Sequence, residues 1–151
     1  MSTLSIGDKA PAFSGVDQDG QPVSLNDFAG RKLVLYFYPK DDTPGCTAQA
    51  CSLRDDHATL RKAGYEVLGV SPDKATKHRK FVDKYELPFR LLADIDKEAA
   101  NAYGVWGRKK FMGREYDGIN RTTFLIDEKG VIEDIITKVR TKDHGAQIVE
   151  E

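Results

Sequence analysis

Two cysteines, Cys46 and Cys51, are the residues of this sequence most suited to covalent chemistry, and the chain contains no others. Cys46 follows Pro44-Gly45, a pair that is poor in a helix interior but suits an open turn where a helix begins. The free backbone N–H groups and the dipole of a helix N-terminus favour an anion, so we expect Cys46 to be a reactive thiolate. The competing interpretation is a small buried apolar residue, the commonest fate of a free cysteine.

The spacing between the two cysteines constrains how they can bond. In one regular helix, residues five apart have Cα atoms about 8.7 Å apart and side chains about 140° apart around the axis. A disulfide needs Cα atoms within about 7 Å of each other. We therefore predict that Cys46 and Cys51 can bond only when the first turns of the helix unwind, with loss of helix between about residues 45 and 53.

Strands and helices alternate around this segment. Residues 33–38 are a continuous apolar and aromatic run, which is typical of a strand buried on both faces. After a loop that contains Cys46, apolar residues recur at helical spacing, and Gly64 fits the end of that helix. The remaining predicted elements are strands at 66–70 and 89–93, helices after an N-cap at Ser71-Pro72 and at 97–103, hairpins at 13–25 and 122–136, and a terminal helix from 141.

This order predicts an α/β domain with a central mixed sheet flanked by helices and an N-terminal hairpin extension. Ligand sites in open α/β sheets lie at the carboxyl ends of strands, where residues 39–46 follow the first long strand. The length of 151 residues suits one domain that spans residues 1–151. We expect neither a metal nor a cofactor.

Charge and hydropathy exclude several classes of partner. The chain has 23 basic and 24 acidic residues and a formal net charge of -1, which argues against nucleic acid or an anionic membrane as its partner. No segment reaches the roughly 20 apolar residues of a membrane span, and the N-terminus has no secretory pattern. We expect a cytoplasmic protein.

The residues around Cys46 resemble a known family. Pro39-x-x-x-Thr43-x-x-Cys46 is similar to the active-site motif of the peroxiredoxins, and the run from Tyr36 to Cys51 resembles the bacterioferritin comigratory protein (peroxiredoxin Q) subfamily. The likeness continues through Tyr103-Gly-Val-Trp-Gly107, Phe111-Met-Gly113 and the stretch from Gly118 to Asp127, and covers most of the chain from Leu4 to Val139.

This resemblance implies a thioredoxin-like fold and a thiol peroxidase of the atypical two-cysteine type. Cys46 would be the peroxidatic cysteine that becomes a sulfenic acid, and Cys51 the resolving cysteine that forms an intramolecular disulfide with it. Thr43 and Arg121 would position peroxide and thiolate, and Pro39 would shape and shield the pocket. The implied partners are hydrogen peroxide, alkyl hydroperoxides and a thioredoxin or glutaredoxin-type reductant, and the implied state is a monomer.

One departure from the family lies beside the site. Many members carry Glu three residues after the peroxidatic cysteine, where this chain has Gln49. The departure removes a negative charge from the neighbourhood of Cys46. It also leaves the route of proton transfer at the site unassigned.

Blander interpretations compete with these assignments. Arg121 could be a surface residue before a strand, Thr43 could be a helix N-cap, and His57, His78 and His144 are expected to be solvated. Arg108-Lys-Lys110 is expected to be a solvated loop, and Trp106 a packing residue.

Three other functions are disfavoured. Zinc held by Cys46, Cys51 and His57 fits no common closed site. A disulfide oxidoreductase would carry Cys-x-x-Cys, whereas four residues separate the two cysteines here. A purely structural domain would leave the clustered proline, threonine and cysteine of the turn unexplained.

Overall fold

A computed structural model describes residues 4–149 of the chain. Its strands are β1 (Ser14–Val16), β2 (Pro22–Ser24), β3 (Lys32–Phe37), β4 (Tyr65–Ser71), β5 (Arg90–Ala93), β6 (Trp106–Phe111), β7 (Arg114–Ile119), β8 (Thr122–Ile126) and β9 (Ile132–Ile136). Its α-helices are α1 (Pro44–Asp55), α2 (His57–Lys62), α3 (Ala75–Tyr85), α4 (Glu98–Ala102) and α5 (His144–Val149).

Within residues 4–149, seven of the strands form one sheet in the order β2-β1-β5-β4-β3-β8-β9. The central strands β3, β4 and β5 run parallel, whereas β8 is antiparallel to β3 and β1 is antiparallel to β5. The sheet is therefore mixed, as the sequence predicted, and the early hairpin is confirmed as β1 and β2 at one edge. The late hairpin is confirmed as β8 and β9 at the other edge.

Strand β3 lies at the centre of two apolar clusters, one on each face of the sheet. Leu33, Leu35 and Phe37 belong to one cluster, and Val34 and Tyr36 belong to the other, because successive side chains of a strand point to opposite faces. The second cluster also contains Cys46, so the buried face of α1 packs on the same side of the sheet as Tyr36.

The helix that follows Cys46 is interrupted, which the sequence analysis did not predict. Asp56 both ends α1 and begins α2, with φ and ψ of -99° and 9°. The start of α5 packs closely at this break. A Cβ added to Gly145 would lie 2.3 Å from the Asp56 carboxylate, so glycine permits the approach.

Three other expectations were wrong. Ser71 ends β4 instead of capping a helix, because α3 begins only at Ala75 with Lys74 before it. Residues 108–110 lie in β6, which pairs with β7 in a separate two-stranded sheet, and not in a loop. His78 and His144 are fully buried, because each side chain finds hydrogen-bond partners on distant elements.

The C-terminal helix packs against the helix that carries both cysteines. The backbone N–H of Gly145 donates to the Ser52 hydroxyl of α1 at 3.0 Å, in a buried position. His144 is held from β8, where the Thr123 hydroxyl lies 2.8 Å from its Nε2. Of the helices between residues 4 and 149, none combines the length and apolarity that a bilayer crossing requires.

Candidate active site

Cys46 lies in the first turn of α1, beyond the carboxyl end of β3. Pro44 stands at the first position of the helix and Thr43 immediately precedes it. Proline is pre-organised for this position, where its missing N–H leaves no hydrogen bond unmade. Cys46 is 1% exposed, so its thiol faces the interior and not solvent. The structure therefore places this cysteine at a helix start, as the sequence predicted.

Arg121 reaches Cys46 because of the register between two neighbouring strands. Phe37 at the end of β3 lies opposite Thr122 at the start of β8. Arg121 immediately precedes β8 and therefore lies beside the loop that leads from β3 to α1. Its Nη2 lies 3.3 Å from the Sγ of Cys46, within hydrogen-bond range of a thiolate. A Cβ on Gly45 would lie 3.3 Å from the same Nη2, so the glycine leaves room for the guanidinium.

Gln49 binds the other side of the same guanidinium. It lies one turn after Cys46, is fully buried, and its Oε1 accepts from Nη1 of Arg121 at 2.6 Å. Its Nε2 has no hydrogen-bond partner among the described residues. Because Gln49 is neutral, the positive charge of Arg121 is not cancelled by it, and that charge faces Cys46.

Thr43 and Pro39 occupy the loop between β3 and α1. Both side chains are half-buried. Thr43 has the extended backbone of an N-cap, but its hydroxyl donates to the Lys40 carbonyl at 2.9 Å and accepts no hydrogen bond from a backbone N–H of the helix. Its two lone pairs remain able to accept from a further donor.

Cys51 lies in the middle of α1 and is partly exposed, and both cysteines are free thiols. Since α1 is continuous from Pro44 to Asp55, the two Cα atoms have the separation of a regular helix, about 8.7 Å. That separation exceeds the limit of about 7 Å for a disulfide. In the observed conformation, Cys46 therefore cannot form a disulfide with Cys51.

Lys109 is a neighbour of the site that the sequence pattern did not predict. Its side chain is half-buried, crosses Gly118 and donates from Nζ to the Ile119 carbonyl at 2.8 Å. Burial lowers its pKa, the nearby charge of Arg121 lowers it further, and Cys46 opposes the shift. The sequence signal that could have predicted this strand pair is Met112-Gly113. These two residues form the turn between β6 and β7, which aligns Lys109 with Tyr116.

Tyr36 lies beneath α1 and also carries an unusual hydroxyl. It is fully buried, and its OH has no hydrogen-bond partner among the described residues. Burial raises the pKa of Tyr36 well above its ordinary value, and the charges of Asp41 and Cys46 raise it further. The phenol therefore stays protonated near the thiol.

The sequence analysis disfavoured a zinc site made of Cys46, Cys51 and His57. Within residues 4–149, the histidine, cysteine and carboxylate side chains close enough to share one ion are Asp41, Asp73 and His78. The set does not include Cys46, Cys51 or His57.

Comparisons with known proteins agree with this geometry. Residues 6–135 match the AhpC/TSA family. A Bcp peroxiredoxin of Haemophilus influenzae is 51% identical over 150 residues, which are 99% of this chain and 97% of that protein. Peroxiredoxin Bcp of Escherichia coli is 51% identical over 144 residues, 95% of this chain and 92% of that protein.

A solved structure of the bacterioferritin comigratory protein of Xanthomonas campestris, studied for its alkyl peroxide reduction activity, superposes with a TM-score of 0.87. The alignment has 30% sequence identity and covers 99% of this chain and 96% of that chain. This likeness confirms the thioredoxin-like fold that the family resemblance implied.

Proposed function

This chain belongs to the AhpC/TSA family and is a peroxiredoxin of the Bcp type, and from that premise we propose a mechanism in which Cys46 reduces peroxides and Cys51 resolves the product. The observation that carries the proposal is the 3.3 Å contact between Arg121 Nη2 and Cys46 Sγ at the start of α1. It pairs a nucleophile with a fixed cation in a site closed to bulk water.

In the first step, the Cys46 thiolate attacks the terminal oxygen of the peroxide. An S–O bond forms and the O–O bond breaks, so that sulfur is oxidised to a sulfenic acid while the peroxide is reduced. The departing oxygen takes up one proton and leaves as water or as an alcohol. Negative charge grows on that oxygen in the transition state, and Arg121 and backbone N–H groups at the helix start are placed to stabilise it.

Thr43 and Pro39 prepare the peroxide for this attack. The Thr43 hydroxyl already donates to a carbonyl, so it is free to accept from the O–H of a hydroperoxide and align it with the sulfur. Pro39 shields the approach from solvent.

In the second step, the Cys51 thiolate attacks the sulfenic sulfur of Cys46. The S–S bond forms as the S–O bond breaks, and the departing hydroxide takes up one proton and leaves as water. The step requires the first turns of α1 to unwind, because the intact helix keeps the two cysteines too far apart. A dithiol protein of the thioredoxin or glutaredoxin type then reduces the disulfide by thiol–disulfide exchange. We place this cycle in the cytoplasm and assign it to a monomer.

Alkyl hydroperoxides are included with hydrogen peroxide as substrates. The support is the Xanthomonas campestris relative, which is described for alkyl peroxide reduction and superposes over 99% of this chain.

Titration of the reduced protein with hydrogen peroxide tests the proposal. One equivalent should consume both thiols rapidly, and mass spectrometry should identify a Cys46–Cys51 bridge. Cys46→Ser should be inert, whereas Cys51→Ser should stop at the sulfenic acid. A disulfide oxidoreductase would instead react with protein disulfides and leave peroxide largely unconsumed.

A further inference from the structure

A buried polar cluster of Tyr38, Asp41 and His78 lies directly behind the loop that leads to Cys46. Asp41 is 2% exposed and His78 is 0% exposed, although both carry ionisable groups. Nδ1 of His78 lies 2.6 Å from Oδ2 of Asp41, and the Tyr38 hydroxyl donates to Oδ1 of the same carboxyl. None of these side chains has a role in the mechanism above.

The hydrogen-bond partners determine how many protons the cluster holds. Nε2 of His78 lies 3.0 Å from the Leu92 carbonyl, which can only accept, so Nε2 carries a proton. The contact between Nδ1 and Asp41 then requires a second proton shared by the pair. Burial raises the pKa of Tyr38 well above its ordinary value, so its hydroxyl remains a donor. The pair of Asp41 and His78 is therefore neutral overall and fully hydrogen-bonded.

The cluster fixes a loop with an unfavourable backbone. Asp42 has a φ of 59°, in the left-handed region that non-glycine residues seldom occupy. Its carboxylate accepts from Lys84 Nζ at 2.9 Å and from the Tyr85 hydroxyl at 2.8 Å. The Asp41 backbone N–H donates to Asp73 at 2.7 Å. These bonds hold the loop from the side of α3.

Asp41, Asp73 and His78 could suggest a cation site, since their ligand atoms lie within 4.8 Å of one another. Each is already bonded within the protein, however. Asp73 accepts from the Ser71 hydroxyl at 2.9 Å and from Lys77 Nζ at 3.2 Å, so a cation is already present. The arrangement is satisfied without an ion.

We propose that the hydrogen-bonded pair of Asp41 and His78 is a clamp that positions the loop of residues 39–43 for the peroxide. The proposal rests on the peroxidase function assigned above. Asp41 lies between Pro39 and Thr43, so a displaced Asp41 moves both and shifts the start of α1. His78 is thus a positioning residue that acts through the loop. Because the clamp is made to α3, it holds the loop in place while α1 opens for disulfide formation.

Two substitutions at one position separate geometry from charge. Asp41→Asn can keep every bond: its Oδ1 accepts from Tyr38, its Nδ2 donates to Nδ1 of a neutral His78, and Nε2 still donates to Leu92. Asp41→Ala removes both bonds and leaves two buried groups without partners. His78→Leu breaks the clamp from the other side.

The rate constant for oxidation by hydrogen peroxide should fall about tenfold or more in Asp41→Ala and His78→Leu, because small misplacements of reacting groups cost that much. Asp41→Asn should stay within about threefold of the unmodified protein, since the geometry is retained. Alkylation of Cys46 by iodoacetamide needs no peroxide pocket, so its rate should change far less in all three variants.

Circular dichroism establishes that each variant folds. If Asp41→Ala does not, Tyr38→Phe removes the hydrogen bond that supports the Asp41 carboxyl of the clamp, without changing the packing, and should lower the peroxide rate by a smaller factor. His57→Leu is the matched control for loss of a histidine, because His57 lies on α2 outside the cluster, and it should leave the peroxide rate unchanged.

Several results would overturn the clamp. They are an unaltered peroxide rate in Asp41→Ala, an Asp41→Asn rate as low as that of Asp41→Ala, alkylation rates that change in parallel with peroxide rates, or stoichiometric binding of added Zn²⁺ that Asp41→Asn abolishes. If the unmodified protein itself failed to consume peroxide, the proposed function would be wrong, which is a different and distinguishable outcome.

Discussion

Arg121 Nη2 lies 3.3 Å from Cys46 Sγ, and the two residues are 75 positions apart in the chain. The contact makes two separate effects possible. Arg121 can favour the thiolate, and it can stabilise the oxygen that departs in the transition state. An unperturbed thiol with a pKa of about 8.5 is roughly 3% ionised at pH 7, so complete ionisation raises a rate by only about 30-fold.

Arg121→Ala separates these effects. We expect the rate constant for hydrogen peroxide to fall by about 100-fold or more, as for loss of a donor to a developing oxyanion. The thiolate fraction, followed by ultraviolet absorbance against pH, should change by much less than that factor. Arg108→Ala is the control, because Arg108 is an exposed arginine on β6. A rate loss equal to the loss of thiolate would refute the transition-state role.

Gln49→Glu should slow peroxide reduction at neutral pH. The new carboxylate would pair with Arg121 where the amide oxygen now accepts at 2.6 Å, and it would place a buried negative charge near the thiolate. We expect about a tenfold lower rate at pH 7, with partial recovery at higher pH as Cys46 ionises. Gln49→Leu removes the acceptor without adding charge. Equal rates in the Glu and Leu variants would show that the charge is not responsible.

Oxidation of the protein should unwind part of α1. Both cysteines lie within Pro44–Asp55, and a regular helix keeps them beyond bonding distance. Far-ultraviolet circular dichroism should show less helix after one equivalent of peroxide, and dithiothreitol should restore the signal. Cys51→Ser serves as the control, since it cannot form the bond. Identical spectra for the reduced and the disulfide form would contradict the prediction.

Acid should weaken the fold through His144. Burial lowers the pKa of His144 from 6.5, and the charge of Arg121 lowers it further, whereas the hydrogen bond with the Gln147 side chain opposes the shift. Below pH 6.5 the unfolded chain therefore binds a proton that the folded chain resists. The stabilisation is complete above that pH and is lost as the pH falls toward the lowered pKa, at up to about 1.4 kcal/mol per pH unit.

Thermal unfolding between pH 5 and pH 7 measures this contribution. The difference in Tm between the unmodified protein and His144→Gln should shrink or change sign as the pH falls about one unit below 6.5. His57→Gln gives the comparison for a histidine that is only half-buried and should alter the pH dependence less. A constant difference in Tm across this range would rule out a role for His144 ionisation.

Lys109→Met should lower both the thiolate fraction of Cys46 and the peroxide rate. The charge of Cys46 favours the charged form of Lys109, and this interaction is reciprocal. We expect an effect of about threefold to tenfold, less than that of Arg121, since Lys109 is only half-buried and reaches the site beside Ile119. Lys110→Met, at the exposed neighbouring position, should have no effect. Equal effects of the two substitutions would indicate only a change in overall charge.

Local patterns in the sequence identified much of this architecture. Examples are the apolar run of β3, the turn at Pro44-Gly45 and the hairpins at both edges of the sheet. Each of these is encoded by residues that lie close together in the chain. The position of Cys46 at a helix start follows from such signals. The local pattern also predicted one helix that continues past residue 56. The structure has a break at Asp56 instead, where Gly145 of α5 packs against it.

Burial of polar side chains could not be predicted in the same way. His78 and His144 look like solvated histidines in the sequence, and each is buried because a distant residue, Leu92 or Thr123, supplies a hydrogen bond. Lys109 entered the site through pairing of β6 with β7, which a loop interpretation of residues 108–110 missed.

The sequence alone determined the family resemblance, the order of the strands that form the seven-stranded sheet, and the cysteine at the start of α1, because these depend on local composition and spacing. The tertiary structure decided which residues surround that cysteine. The antiparallel register of β3 and β8 brings Arg121 to Cys46, and the packing of α3 brings His78 to Asp41. Both contacts join residues far apart in the chain, and their distances are set by how sheet and helices pack, which no local pattern encodes.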